Sequence, residues 1–105
     1  MNLLETYYGI TQTNGAYTNT PLSTSVKKYF NFDFDNITKE EVRNSTVFWN
    51  FGDPNSPENE DVQNILSTVT HDYNYSGSYL VTIIANINGV PFHYEQRVNI
   101  WVRTN

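Results

Sequence analysis

The chain contains no cysteine, which excludes disulfides and thiolate metal sites and leaves the redox compartment open. Alanine is scarce, with two residues in 105, and leucine occurs only five times. A helical bundle draws on those residue types, so that class is excluded. Bases are also few. Six Lys and Arg stand against eleven Asp and Glu, a net charge of −5. A chain of that sign does not bind nucleic acid or an anionic membrane through charge. No apolar run approaches the ~20 residues of a membrane span. The start, Met1-Asn2-Leu3-Leu4-Glu5-Thr6, carries neither a basic region nor an apolar core, and is read as no export signal.

What is present points to strands. Val, Ile, Thr, Phe, Tyr and Trp number 44, against 23 for Ala, Leu, Met, Glu, Gln, Lys and Arg. Branched and aromatic side chains suit a pleated, half-buried surface. Sixteen aromatics exclude a disordered chain. The length fits one domain.

Residues 1–24 are read as an N-terminal arm or edge strand, with a strand expected near Ala16–Asn19, and residues 25–105 as the folded domain. Phe30, Phe32 and Phe34 alternate with Asn31 and Asp33, the period of a strand with one buried face. Thr38 and Glu41 have the spacing of a capping box, so one helical turn is expected between strands. Ser45–Phe51 reads as a strand with Val47, Trp49 and Phe51 on one face. Residues from Gly52 to Asp61 read as an exposed loop and Asn64–Thr70 as a further strand. Tyr79, Val81, Ile83, Ala85 and Ile87 give the cleanest alternation. Asn88-Gly89 then predicts a two-residue hairpin turn. That turn sets the register: Ile87 faces Val90, Ala85 faces Phe92, Ile83 faces Tyr94 and Tyr79 faces Val98. The fold class expected is all-β, a sandwich of two antiparallel sheets.

Phe48-Trp49-Asn50-Phe51-Gly52-Asp53 resembles the Trp-Asp-Phe-Gly-Asp signature of PKD domains, a branch of the immunoglobulin-like sandwiches. His71-Asp72-Tyr73-Asn74-Tyr75-Ser76-Gly77-Ser78-Tyr79-Leu80-Val81 is similar to that family's second block, His-x-Tyr-x-x-x-Gly-x-Tyr-x-Val. The resemblance covers roughly Val26 to Arg103. It departs at Asn50, where the family usually has Asp, and at Pro54, where it usually has Gly. The loop after Asp53 is therefore not expected to be the family's tight turn. The resemblance implies that Trp49, Phe51, Gly52, Asp53, His71, Tyr73, Gly77, Tyr79 and Val81 mark the fold rather than catalysis. In that reading Trp49 is the core indole, Asp53 bonds nearby amides, and Tyr73 and Gly77 set the turn into the Tyr79–Ile87 strand.

Enzymatic chemistry is not expected. The two histidines are His71, inside the motif, and His93, on the outward face of the last strand, and no nucleophile elbow or phosphate-cradling loop occurs. No cofactor is expected. Calcium is the alternative for two oxygen-rich clusters, Asp33, Asp35 and Asn36, and Asp53, Glu58, Glu60 and Asp61. Neither has the alternating spacing of a dedicated calcium loop, and a solvated acidic surface is the default. Three glycosylation sequons match what chance supplies at this Asn and Ser/Thr content.

The hairpin register also assigns the outward face, where Leu80, Thr82, Ile84 and Asn86 stand beside Arg97, Glu95, His93 and Pro91. Phe48, Leu80, Ile84, His93 and Trp101 are the candidate interface residues, either a docking stripe or a surface that the arm covers. A free-standing domain of this kind resembles the small auxiliary proteins that tailed bacteriophages, the crAss-like group among them, place on their capsids. That resemblance implies a virion protein made in the host cytoplasm and bound in many copies to a lattice of major capsid protein. The alternative is a carbohydrate-binding or adhesion module of a larger secreted or cell-surface protein, with Trp101, Tyr75 and Tyr94 stacking on sugars.

Overall fold

The structure is a computed structural model and describes residues 8–14, 25–35, 37–87 and 89–102. In chain order the described elements are β1 (Tyr8–Asn14), β2 (Val26–Phe34), α1 (Lys39–Val42), β3 (Thr46–Asn50), β4 (Glu60–Asn64), β5 (Val69–Tyr73), β6 (Gly77–Ile87) and β7 (Val90–Ile100). They form two antiparallel sheets, ordered β1-β2-β5 and β4-β3-β6-β7. The fold is an immunoglobulin-like β-sandwich. Its β1 falls within the segment read as arm or edge strand, pairs with β2, and buries Ile10 in the core. The strand expected near Ala16–Asn19 lies outside the described residues.

Alternation builds each layer. In β2, Val26, Phe30 and Phe32 turn inward, and in β5 Val69, His71 and Tyr73 do so. Val47 and Trp49 do the same from β3, and Val81, Ile83, Ala85 and Ile87 from β6. The β6–β7 register is the one expected from the two-residue turn: Ile87 pairs with Val90, Ala85 with Phe92 and Tyr79 with Val98. Gly89 has φ of +82°, as a hairpin turn of this length requires; Asn88 lies outside the described residues.

The single turn of α1 begins as the sequence indicates. Thr38 Oγ1 accepts from the Glu41 amide at 3.2 Å, and Glu41 Oε1 accepts from the Thr38 amide at 3.1 Å. Each satisfies a donor that the helix cannot. Val42 anchors the turn in the core.

The strand expected over Asn64–Thr70 is replaced by two strands with a turn between them. β4 ends at Asn64, whose side-chain oxygen accepts from the Leu66 amide at 2.9 Å and whose carbonyl accepts from the Ser67 amide at 2.9 Å. This Asx-type turn reverses the chain. β4 therefore pairs with β3 in one sheet, and β5 pairs with β2 in the other. β4 begins at Glu60, inside the stretch read as loop.

Aromatic rings fill the space between the sheets. Trp49 and Phe30 lie 6.0 Å apart, Phe30 and Phe51 5.7 Å, and Trp49 and Phe51 6.3 Å between centroids. Trp49 is 1% exposed. Truncating a side chain of that size in a packed interior leaves a cavity that the sheets cannot close. Trp49→Ala should lower stability by ~3–5 kcal/mol in denaturant titration. A loss under ~1 kcal/mol would show that the indole does not fill the core.

Candidate functional site

Two regions gather the residues of interest, and the first is the corner where β3 leaves its sheet. Gly52 turns there with φ of +72°. A Cβ at Gly52 would stand 2.4 Å from the Leu80 carbonyl oxygen and 2.8 Å from its amide nitrogen, so only glycine lets this turn lie against β6. Asn50 Oδ1 accepts from the Gly52 amide at 2.8 Å and from Asn59 Nδ2 at 3.4 Å. Asn59 in turn accepts from the Phe51 amide through its carbonyl, at 2.9 Å, and from the Asp53 amide through Oδ1, at 2.7 Å. The loop is long, residues 51–59, and its own turn closes through the Ser56 amide and the Asp53 carbonyl at 2.9 Å.

The same corner ties the two sheets together. The Tyr73 hydroxyl on β5 donates to the Phe51 carbonyl at 2.9 Å, fully buried. Burial first, then the negative charge of Asp53 and the neighbouring Tyr79, push the Tyr73 pKa well above the ordinary tyrosine range. The hydroxyl therefore keeps its proton and remains a donor. His71 Nε2 lies 2.9 Å from Asp53 Oδ2. Its ring packs 4.7 Å from Phe51 on one side and 4.7 Å from Tyr73 on the other, with the residue 4% exposed. An imidazole enclosed by aromatic rings in this way braces the corner. Gly77, by contrast, opens β6 without positive φ, and a Cβ there would make only ordinary contacts with Tyr79 at 3.5 Å or more. No steric reason for glycine is found at that position.

The second region is the outer face of the four-stranded sheet. Phe48 pairs with Val62 on β4 and with Ile84 on β6, and Ile84 pairs with His93 on β7. One row of side chains, Val62-Phe48-Ile84-His93, thus crosses all four strands. Val62 is 58% exposed and Ile84 52%, with Phe48 half-buried between them. Val62 is not among the residues the sequence singles out, because it falls between the loop ending at Asp61 and the strand expected from Asn64. Its mate across β3 depends on a non-local pairing.

Leu80 and Trp101 are not part of this row. Thr82 separates Leu80 from Ile84 along β6, and Leu80 pairs with Arg97. Trp101 follows β7 eight residues beyond His93, roughly 26 Å along an extended strand. It is 67% exposed. The five candidate interface residues therefore share outward parity but are spread along the face, with Leu80 between the row and Trp101.

A third feature is a shallow cleft of about 400 Å³ beside the motif corner, lined by Asp53, Pro54, Pro57, Asn74, Tyr75 and Tyr79. Tyr75, 78% exposed, stands at its rim. Among the described residues no three His, Cys, Asp or Glu side chains come close enough to hold a metal ion. Asp33 accepts from Thr11 Oγ1 and Asp53 is engaged by His71, so a carboxylate from each proposed calcium cluster already has a protein partner. Asn36 lies outside the described residues.

A family model for the PKD domain matches residues 13–102. The chain belongs to the PKD family. The match begins ahead of Val26 and takes in the end of β1, so it is wider than the sequence resemblance. No curated protein and no solved structure matches the chain. The motif corner of this PKD domain is a structural joint, and structural or adhesion work is the coarse class of function that membership supports.

Two substitutions test the joint. Gly52→Ala meets both the positive-φ penalty and the β6 backbone, and should lower stability by more than the ~1–2 kcal/mol of the dihedral alone. Tyr73→Phe leaves the buried Phe51 carbonyl without its donor and should lose ~1–3 kcal/mol. Wild-type melting of either variant would mean that the corner does not hold the sheets together.

Proposed function

We propose that this PKD domain is a non-enzymatic binding module that docks on a protein surface through the outer face of its β4-β3-β6-β7 sheet. The observation that carries this reading is the row Val62-Phe48-Ile84-His93, in register across every strand of that sheet. The outward face of an antiparallel sheet is usually polar. Here two exposed aliphatics flank an aromatic ring, the composition of an interface centre with a polar surround. Thr82, Asn50 and Glu95 form the adjoining polar row.

The partner in this proposal is a repeating protein lattice, the major capsid protein of a virion shell. A lattice suits a small module because many weak identical contacts act together once neighbouring copies touch. Such a chain would be made in the host cytoplasm and act on the capsid surface without a cofactor. Ile84→Asp and Val62→Asp place a charge on the row while leaving the core untouched. Each should lower co-sedimentation with purified capsid shells at least ten-fold and leave the melting temperature of the free domain unchanged. Undiminished co-sedimentation of the double variant would remove this face from the proposal.

One observation favours a second reading, a carbohydrate-binding module of a larger surface protein. Tyr75 stands exposed beside Pro54, Pro57 and Asn74 at the cleft, an aromatic platform with an amide beside it. In that case Tyr75→Ala should abolish retention on insoluble polysaccharide, and Ile84→Asp should not affect it.

A further inference from the structure

Among the described residues the last strand of the larger sheet is hydrogen-bonded on one side only, and β1 of the other sheet approaches it without pairing. β7 pairs with β6 along its whole length and has no second strand neighbour in the sheet. The two-residue turn makes Ile87 and Val90 a hydrogen-bonded pair, so the even-numbered residues of β7 direct their amides and carbonyls toward β6. His93, Glu95, Arg97 and Asn99 then direct theirs to the unpaired side. Pro91, which has no N–H to give, occupies the same outward set, where a proline is tolerated.

We propose that β7 pairs antiparallel with β7 of a second copy of this chain, about a two-fold axis at Gln96. This contact lies at the sheet edge, separate from the face described above, and stands if that face proves idle. The charge pattern selects the register. With the axis at Gln96, Glu95 lies opposite the partner's Arg97 and Arg97 lies opposite the partner's Glu95, an attractive pair made twice. Moving the axis to Glu95 would set two carboxylates face to face, and moving it to Arg97 would do the same with two guanidiniums. Directly opposed like charges destabilise a strand pair. In the favoured register His93 and Asn99 complete the ladder, and its hydrogen bonds stop before Pro91, the one residue that could not donate.

The side chains agree with that register on both faces. Inward, half-buried Phe92 comes opposite the partner's Ile100, and half-buried Tyr94 opposite the partner's Val98. Phe92 and Tyr94 stack at 6.4 Å at the margin of the core. Outward, one residue past the ladder, Trp101 comes beside the partner's Pro91. Tryptophan is enriched where truncation weakens association most. A symmetric contact of this kind uses one patch on both copies and closes on itself.

Charge exchange provides the test. The wild-type chain should sediment as a concentration-dependent dimer. Glu95→Arg sets arginine against the partner's Arg97, and Arg97→Glu sets glutamate against the partner's Glu95. Each should raise the dimer dissociation constant at least ten-fold with unchanged melting of the domain. The doubly exchanged variant, Glu95→Arg with Arg97→Glu, should recover the dimer. An equimolar mixture of the two single variants should form the mixed dimer, because only unlike chains then oppose unlike charges. Wild-type protein that stays monomeric up to millimolar concentration overturns the proposal. So does a dimer indifferent to both reversals. A dimer lost with Ile84→Asp but kept by Glu95→Arg assigns self-association to the outer face instead, and also overturns it.

Discussion

The sandwich depends on one joint, the hydrogen bond from the Tyr73 hydroxyl to the Phe51 carbonyl. It links β5 of one sheet to the end of β3 in the other, in a place where water does not reach. Chain direction changes at that carbonyl, so no strand neighbour takes its lone pairs. The rest of the corner follows from the need to bring Phe51 there. Gly52 turns against the Leu80 backbone, and Asp53 lands on His71. Asn50, where the family usually has Asp, still serves as the acceptor of the Gly52 amide. A carboxamide oxygen does this as a carboxylate oxygen would, and its use explains why the fold accepts the exchange.

Legibility followed the range of each interaction. The β6–β7 hairpin was readable because a two-residue turn and strict alternation act within neighbouring residues. The capping box at Thr38 and Glu41 was readable for the same reason. The division of the Asn64–Thr70 segment was not. Its pattern of Ile65, Leu66 and Val69 among small polar residues suits one strand as well as two. What decides the matter is the turn at Asn64 and the burial of Ile65, with β3 claiming one side and β2 the other. Non-local pairing outweighs local propensity here.

The candidate face shows the same limit. Phe48, Ile84 and His93 were assigned outward by parity alone, and the structure aligns them because β3 crosses β6 with Phe48 opposite Ile84. Parity says which face a side chain takes and nothing about its distance from others along the sheet. Trp101 and Ile84 share parity yet sit at opposite ends of the hairpin. Val62 enters the row only through the β3–β4 pairing, which depends on a nine-residue loop closed by Asn59. Motif residues were easier to assign because their chemistry is local to one corner.

The two outer edges of the four-stranded sheet are managed differently, and the contrast bears on how the molecule meets its own kind. β4 is five residues long and carries Glu60 and Asp61. Short length and adjacent charges of one sign are the usual means of discouraging another strand. β7 is eleven residues long and carries one acid and one base, two positions apart. Opposite charges at that spacing do not repel a second copy in every register. They repel it in the registers centred on either charge and attract it in the one between. An edge built this way discriminates among partners where β4 excludes them. In a chain with net charge −5, that local balance is set against a general mutual repulsion between copies, which salt screens at long range while the close pairs persist. The balance at Glu95 and Arg97 therefore acts as a short-range selector within a surface that otherwise keeps the copies apart.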